Sequence, residues 1–138
     1  MKTLLTITAA LEAGTGVALA VAPSSVVLVL LGSPLGSPAS LVIGRVLGAA
    51  LFSLWAACWG GRDDAPGRTA VGLLTAMPLD NIAVVSLLGY ARTGLGMSGV
   101  GLWPAVILHS ALAAGCVACL RTARRKVSGG TSGRVARS

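Results

Sequence analysis

Apolar residues along this chain are gathered into four runs, each as long as a membrane-spanning helix. The runs cover residues 3–22, 39–59, 69–90 and 101–121. At a rise of 1.5 Å per residue, about 20 residues of helix cross the roughly 30 Å hydrocarbon core of a bilayer. The pattern therefore predicts an all-α fold, a four-transmembrane-helix bundle.

Prolines and glycines divide these runs. Pro23 ends or kinks the first helix because proline has no N–H to donate. The apolar stretch 26–31 that follows is too short to span a bilayer, so it is either a short interfacial helix or the continuation of a kinked first span; we expect the interfacial helix. Pro78 should kink the third span for the same reason. Residues 32–40 and 60–68 are rich in Gly, Pro, Ser or Asp and are predicted loops.

The start of the chain also has features of a secretory signal, with Met-Lys, an apolar stretch and an Ala-Leu-Ala sequence. Glu12 in the middle of that stretch argues against cleavage, and so does the long hydrophobic chain that follows. We therefore expect the first run to remain as a spanning helix.

Composition agrees with a lipid environment. The 138 residues are 54% hydrophobic and 11% charged, whereas soluble domains have about 25% charged residues. Too few charged residues are present to cover a water-exposed surface. We therefore expect one membrane domain, residues 1–121, whose partner is the lipid bilayer that surrounds it.

The net charge of +7 comes from the C-terminal end of the chain. Six of the eleven basic residues follow residue 120, and no acidic residue accompanies them. We expect residues 122–138 to form a disordered basic cytoplasmic tail that contacts anionic lipid headgroups, and not a face that binds nucleic acid. Basic residues favour the cytoplasmic side, which predicts a multi-pass membrane protein with both termini cytoplasmic.

Each run carries a strongly polar group at a similar estimated depth. Charged groups inside hydrocarbon are expensive and mark sites or partners. Counted from the predicted outer ends at 1.5 Å per residue, the depths are about 15, 9, 15 and 12 Å for Glu12, Arg45, Asp80 (with Asn81) and His109. We expect these five residues to meet in one polar layer in which a carboxylate and the histidine share a proton. The layer is either a small polar binding site or a set of interhelical contacts that only holds the bundle together. The remaining alternative is that its members face lipid or a partner protein and do not meet.

The chain has three cysteines, Cys58, Cys116 and Cys119, which fall near the predicted cytoplasmic ends of their spans. That compartment keeps thiols reduced, so a structural disulfide is not expected. Cys116 and Cys119 form a CxxC on one helix, which leaves a thiol-redox or metal role open, but apolar surroundings favour inert, buried cysteines. We expect no metal site and no cofactor.

Two glycine patterns have ordinary interpretations. Gly94, Gly96 and Gly99 match GxGxxG, but no strand precedes them, so they predict a flexible loop and not a dinucleotide site. Gly44 and Gly48 form a GxxxG pair, which in a glycine-rich membrane helix favours generic close packing over a dimer interface.

A family resemblance rests on four segments of the chain. They are LEAGTGVALAVAP (11–23), RVLGAALFSLWAACW (45–59), LDN (79–81) and LWPAVILHSAL (102–112). In these segments the chain resembles small bacterial four-helix membrane proteins of uncharacterised function, distantly similar to the DoxX-like group. The resemblance implies an inner-membrane bundle without an assigned reaction. Some DoxX-like proteins are membrane subunits of redox systems, but no catalytic motif of theirs is matched here.

The functional expectation is a small inner-membrane protein that serves as an accessory or small-ligand-binding subunit, with the polar layer as its site. We do not expect it to be an enzyme by itself. Two alternatives remain: a membrane oxidoreductase subunit linked to a quinone or to the thiols, and a purely structural or assembly protein. A membrane-protein partner or a homo-oligomer is compatible with each of them.

Overall fold

The computed structural model describes residues 1–64 and 67–135, with side chains up to residue 122. Within these residues the chain is all-helical and has no strand. Its helices are α1 (Lys2–Val21), α2 (Pro23–Leu31), α3 (Pro38–Gly61), α4 (Arg68–Thr93) and α5 (Leu102–Val135), with a short 3-10 turn at Arg62–Asp64 after α3. α1, α3, α4 and the part of α5 up to Thr122 are long and apolar enough to cross a membrane. The predicted fold class is therefore confirmed. The predicted tail, residues 122–138, lies almost wholly outside the described side chains, so its disorder stays a prediction.

The short helix expected after the first span is present. Ala22 leaves the helical region, with φ −134° and ψ 59°, and Pro23 occupies the first position of α2. Proline suits that position because an N–H there has no partner within the helix. α2 then ends at Gly32, whose φ of +80° is the left-handed conformation that favours glycine at a helix end.

The spanning helices are arranged as two antiparallel pairs. α1 packs along α3 and α4 packs along α5, and contacts between the two pairs are sparser. α1 and α3 approach closely because both present glycine: a methyl group at Gly48 would lie 2.7 Å from the carbonyl oxygen of Gly16. Gly44 faces Pro23 in the same way. The GxxxG pair thus serves close packing within one chain.

One contiguous hydrophobic core joins the two pairs, and it lies at the end of the bundle where the chain begins. We call this the basal end and the opposite end the distal end. The core takes residues from all four spanning helices, and none of them is more than 2% exposed. Its members, the basal core, are Leu5, Ala9, Cys58, Ala70, Leu74, Met77 and Cys116. Met1 and Leu120 pack against it, so α1 begins and the apolar part of α5 ends on the same side.

Polar contacts at the surface connect the helices at the basal end. Lys2 forms an ion pair with Asp63, with Nζ and Oδ1 2.7 Å apart. Asp64 accepts a hydrogen bond from the backbone N–H of Thr69 at 2.9 Å, in the first turn of α4. A carboxylate suits that place because the first N–H groups of a helix have no internal acceptor.

The distal end is fastened by backbone contacts between α2 and the loop that joins α4 to α5. Ser98 N donates to Leu31 O at 3.2 Å, and Gly101 N donates to Val29 O at 2.9 Å. We call these two bonds the distal clasp. They supply donors to carbonyls in the last turn of α2, which have none within their own helix. Gly99 lies so close to the α2 backbone that a side chain would collide with it.

Candidate functional site

Asn81 of α4 and His109 of α5 meet inside the bundle, and the geometry fixes the role of each atom. Asn81 Nδ2 donates to the carbonyl oxygen of Met77 at 2.8 Å. A carbonyl oxygen only accepts hydrogen bonds, so the amide nitrogen of Asn81 faces Met77 and its amide oxygen faces away. That oxygen lies 2.8 Å from His109 Nδ1. An amide oxygen also only accepts. His109 Nδ1 therefore carries a hydrogen in either charge state, and Nε2 is the nitrogen that gains or loses a proton.

A bond within α4 orients the Asn81 side chain. Pro78 has no N–H, so the carbonyl of Leu74 loses its normal donor, but the carbonyl that the Asn81 side chain holds is that of Met77. α4 continues through Pro78 from Arg68 to Thr93. Asn81 follows within one turn and holds the carbonyl of Met77 with its side chain. The expected kink at Pro78 stays a prediction.

Glu12 lies in the interior, one turn distal to the basal core. It belongs to the buried stripe of α1, whose members recur every three or four residues: Leu5, Thr8, Ala9, Glu12, Gly16 and Leu19. Glu12 is only 8% exposed, although its carboxylate oxygens are not among the fully buried polar atoms. Among the described residues its carboxylate has no hydrogen bond and no ion pair. Burial of a carboxylate without a partner is expensive, so this residue calls for an explanation beyond packing.

Asp80 connects these groups electrostatically. It is half-buried on α4, next to Asn81, and its charge acts on both Glu12 and His109. Asp80 is thus within electrostatic range of Glu12 on α1, across the boundary between the two helix pairs, and of His109 on α5. We call Glu12, Asp80, Asn81 and His109 the polar cluster.

The structure does not bring Arg45 to this cluster. Arg45 is exposed on α3 and forms no ion pair with any described residue. Its neighbour Gly44 packs against Pro23, which places Arg45 level with the distal end of α1, about 15 Å from Glu12 along the axis. The sequence-based depth failed here because α3 begins beyond the end of α1, so counting from the two helix ends used different levels.

Without Arg45 the polar cluster has an acidic balance. Two carboxyl groups and one imidazole remain, and a negative charge is left over even when His109 is protonated and both carboxyl groups are ionised. A charge in the hydrocarbon region costs about 2.5–3.5 kcal/mol on insertion scales. The cluster is therefore most stable when it holds additional positive charge.

The cysteines lie basal to the polar cluster, and the Cys58 thiol is in electrostatic range of Glu12. Cys58 and Cys116 belong to the basal core, on α3 and α5, and Cys119 is half-buried against it. All three are free thiols. In the part of the chain that the structure describes, no group of three or more His, Cys, Asp or Glu side chains is placed to hold a metal ion.

Sequence reasoning missed two features that position the site. One is the Asn81–Met77 bond that orients His109, for which the available signal was an amide one turn after Met77 beside a proline. The other is the distal clasp. Its signal was the cluster of glycines at 94–101, of which Gly96 adopts φ +69° and Gly99 allows the backbones to touch.

No family model, curated protein or solved structure matches the chain.

Proposed function

We propose that this multi-pass membrane protein binds a small polar ligand in its polar cluster, as an accessory subunit of the bacterial inner membrane that catalyses no reaction by itself. The observation that supports this most strongly is Glu12. Asn81 and His109 satisfy each other, and their bond is explained by the joining of α4 to α5. Glu12 has no such partner among the described residues. The Glu12 carboxyl group destabilises the bundle and forms no contact that holds two helices together. A ligand that binds to this group best explains its presence.

The charge distribution supports the orientation included in this proposal. Lys2, Arg62, Arg68 and Arg121 lie at the basal end, whereas Arg45 and Arg92 lie toward the distal end. By the positive-inside rule the basal end faces the cytoplasm. Both termini are then cytoplasmic, the basic tail meets anionic headgroups of the inner leaflet, and the distal end faces outward.

A redox subunit is the second candidate. It is favoured by one observation: Cys58 and Cys116, from different helices, lie in the same core cluster. Distant kinship with the DoxX-like group would agree with that role. Replacing Cys58 and Cys116 together by alanine tests it; unchanged reduction of a short-chain quinone by membranes that contain the variant would remove this candidate.

The ligand-binding proposal is tested by thermal unfolding of the purified protein in detergent with three probes: ammonium chloride, sodium acetate and a short-chain quinone. A ligand at 100 times its Kd stabilises the folded state by about 2.7 kcal/mol. At least one probe should raise the Tm of the native protein and fail to raise that of Glu12→Gln. Ser110→Ala is the control, because Ser110 is exposed and bonds only within its own helix. Equal responses of native protein and Glu12→Gln to every probe, and to a change of pH, would contradict the proposal.

A further inference from the structure

We infer that the ligand of the polar cluster is an exchangeable proton, which the Glu12 carboxylate takes up from the distal side of the membrane. This inference rests on the proposed function of the cluster as a ligand site and names the ligand. In the step itself, a proton from water adds to a carboxylate oxygen of Glu12, an O–H bond forms and the charge of the cluster becomes more positive by one. Nothing is oxidised or reduced.

The first support is the combination of charge and burial. Glu12 is more than nine-tenths buried and has no partner among the described residues, while the charge of Asp80 acts on it. Two carboxylates in hydrocarbon repel each other and lack a counter-ion, because Arg45 lies at the distal end of α1. A proton removes one of the two charges without requiring space. A metal ion would require a cage of ligands, and the described residues provide no group of three that could form one.

The second support is a second proton acceptor in the same cluster. The bond from His109 Nδ1 to Asn81 leaves Nε2 as the atom that exchanges protons, and Asp80 influences His109 as well as Glu12. The groups in electrostatic range of Glu12 are Asp80 on α4 and the Cys58 thiol on α3. His109 on α5 is in range of Asp80, so Asp80 links the charge states of Glu12 and His109.

The third support concerns the direction of access. Basal to the cluster, the core is sealed, since its members are 0–2% exposed and come from all four spanning helices. Distal to the cluster the described residues form no core cluster from all four spanning helices. Single apolar side chains such as Leu19, Leu88 and Leu102 are buried there, and the distal clasp adds two backbone hydrogen bonds. A proton therefore reaches Glu12 from the distal side, and the basal core keeps it from crossing the membrane.

The composition of the chain allows a test on the unmodified protein. Glu12 is its one glutamate and His109 its one histidine. Cell-free synthesis with side-chain ¹³C-carboxyl glutamate and ¹⁵N histidine gives one carboxyl signal and one imidazole in a nuclear magnetic resonance spectrum. In lipid nanodiscs, a pH titration should move the Glu12 carboxyl signal from its protonated to its ionised position. The His109 Nε2 signal should change in the same pH range, and Nδ1 should remain protonated.

Matched variants and sidedness complete the test. Asp80→Asn should shift the midpoint of the Glu12 titration to lower pH, because one repelling charge is gone, whereas Arg45→Gln should leave it unchanged. In vesicles with the basal end facing the lumen, the Glu12 signal should follow the pH of the outside buffer and ignore that of the lumen.

Three results would overturn the inference: a Glu12 signal that stays in one protonation state across the titration, one that ignores Asp80→Asn, or one that follows the lumen. Failure of the proton site is distinguishable from failure of the proposed function. If ammonium or the quinone raises the Tm through Glu12 while its carboxyl signal never titrates, the cluster is a ligand site and only the proton is wrong. If neither response occurs, both proposals fail.

Discussion

Replacing Gly16 by alanine is expected to force α1 and α3 apart, whereas the same change at Gly14 is not. A methyl group at Gly16 would lie 2.9 Å from the carbonyl oxygen of Gly48 and 3.0 Å from the backbone nitrogen of Phe52. Both contacts are with backbone atoms, which move only if the helix moves. A methyl group at Gly14 meets nothing within 4 Å.

The magnitude follows from comparing the two variants. Alanine is favoured over glycine inside a helix by about 1 kcal/mol, and this gain applies equally to positions two residues apart on α1. Overpacking a close contact costs about 1–3 kcal/mol. The propensity gain cancels in the difference, so Gly16→Ala should be less stable than Gly14→Ala by about 1–3 kcal/mol.

The assay is reversible unfolding of each variant in mixed micelles, with the free energy of unfolding taken from the denaturant midpoint and slope. Gly14→Ala should equal or exceed the native stability. If the two variants agree within about 0.5 kcal/mol, the error of additive comparisons, then α1 and α3 do not approach at Gly16 and the register that places Glu12 is incorrect.

Three further predictions concern single contacts. Asn81→Leu should lower the free energy of unfolding by about 0.6 to 1.7 kcal/mol, the range of interhelical hydrogen bonds in membranes, and should alter the ¹⁵N signal of His109 Nδ1. Gly99→Val should open the distal clasp, which amide hydrogen exchange would detect as faster exchange at Gly101 with unchanged exchange in α1. Ser37→Ala should cost about 1 kcal/mol by denaturant unfolding, because it removes the N-cap of α3; no change would contradict that cap.

The helices were predictable because each consists of one long apolar run. The expected spans 3–22 and 39–59 correspond to Lys2–Val21 and Pro38–Gly61, and the deviations occur at the ends, where helices fray or extend into loops. α2 was also predictable, since Pro23 and Gly32 provide a start and a stop signal.

The polar cluster was only partly predictable. The depths of Asn81 and His109 agreed because a short loop joins α4 and α5 and keeps their distal ends level. Arg45 could not be placed, because its depth depends on how far α3 extends beyond α1. Whether the Arg45 side chain points into the bundle or away from it depends on which face of α3 packs inward. That face is the glycine stripe, and Arg45, directly after Gly44, lies beside the stripe.

The central claim is that residues from three helices meet in one cluster that excludes Arg45, and a double-mutant cycle tests it most directly. The free energy of unfolding is measured for Glu12→Gln, His109→Gln and both together, and for the matched cycle of Glu12→Gln with Arg45→Gln. Residues in one network couple by about 0.5–3 kcal/mol, and distant ones add within about 0.5 kcal/mol. We expect coupling between Glu12 and His109 and none between Glu12 and Arg45. Coupling to Arg45, or additivity between Glu12 and His109, would contradict it.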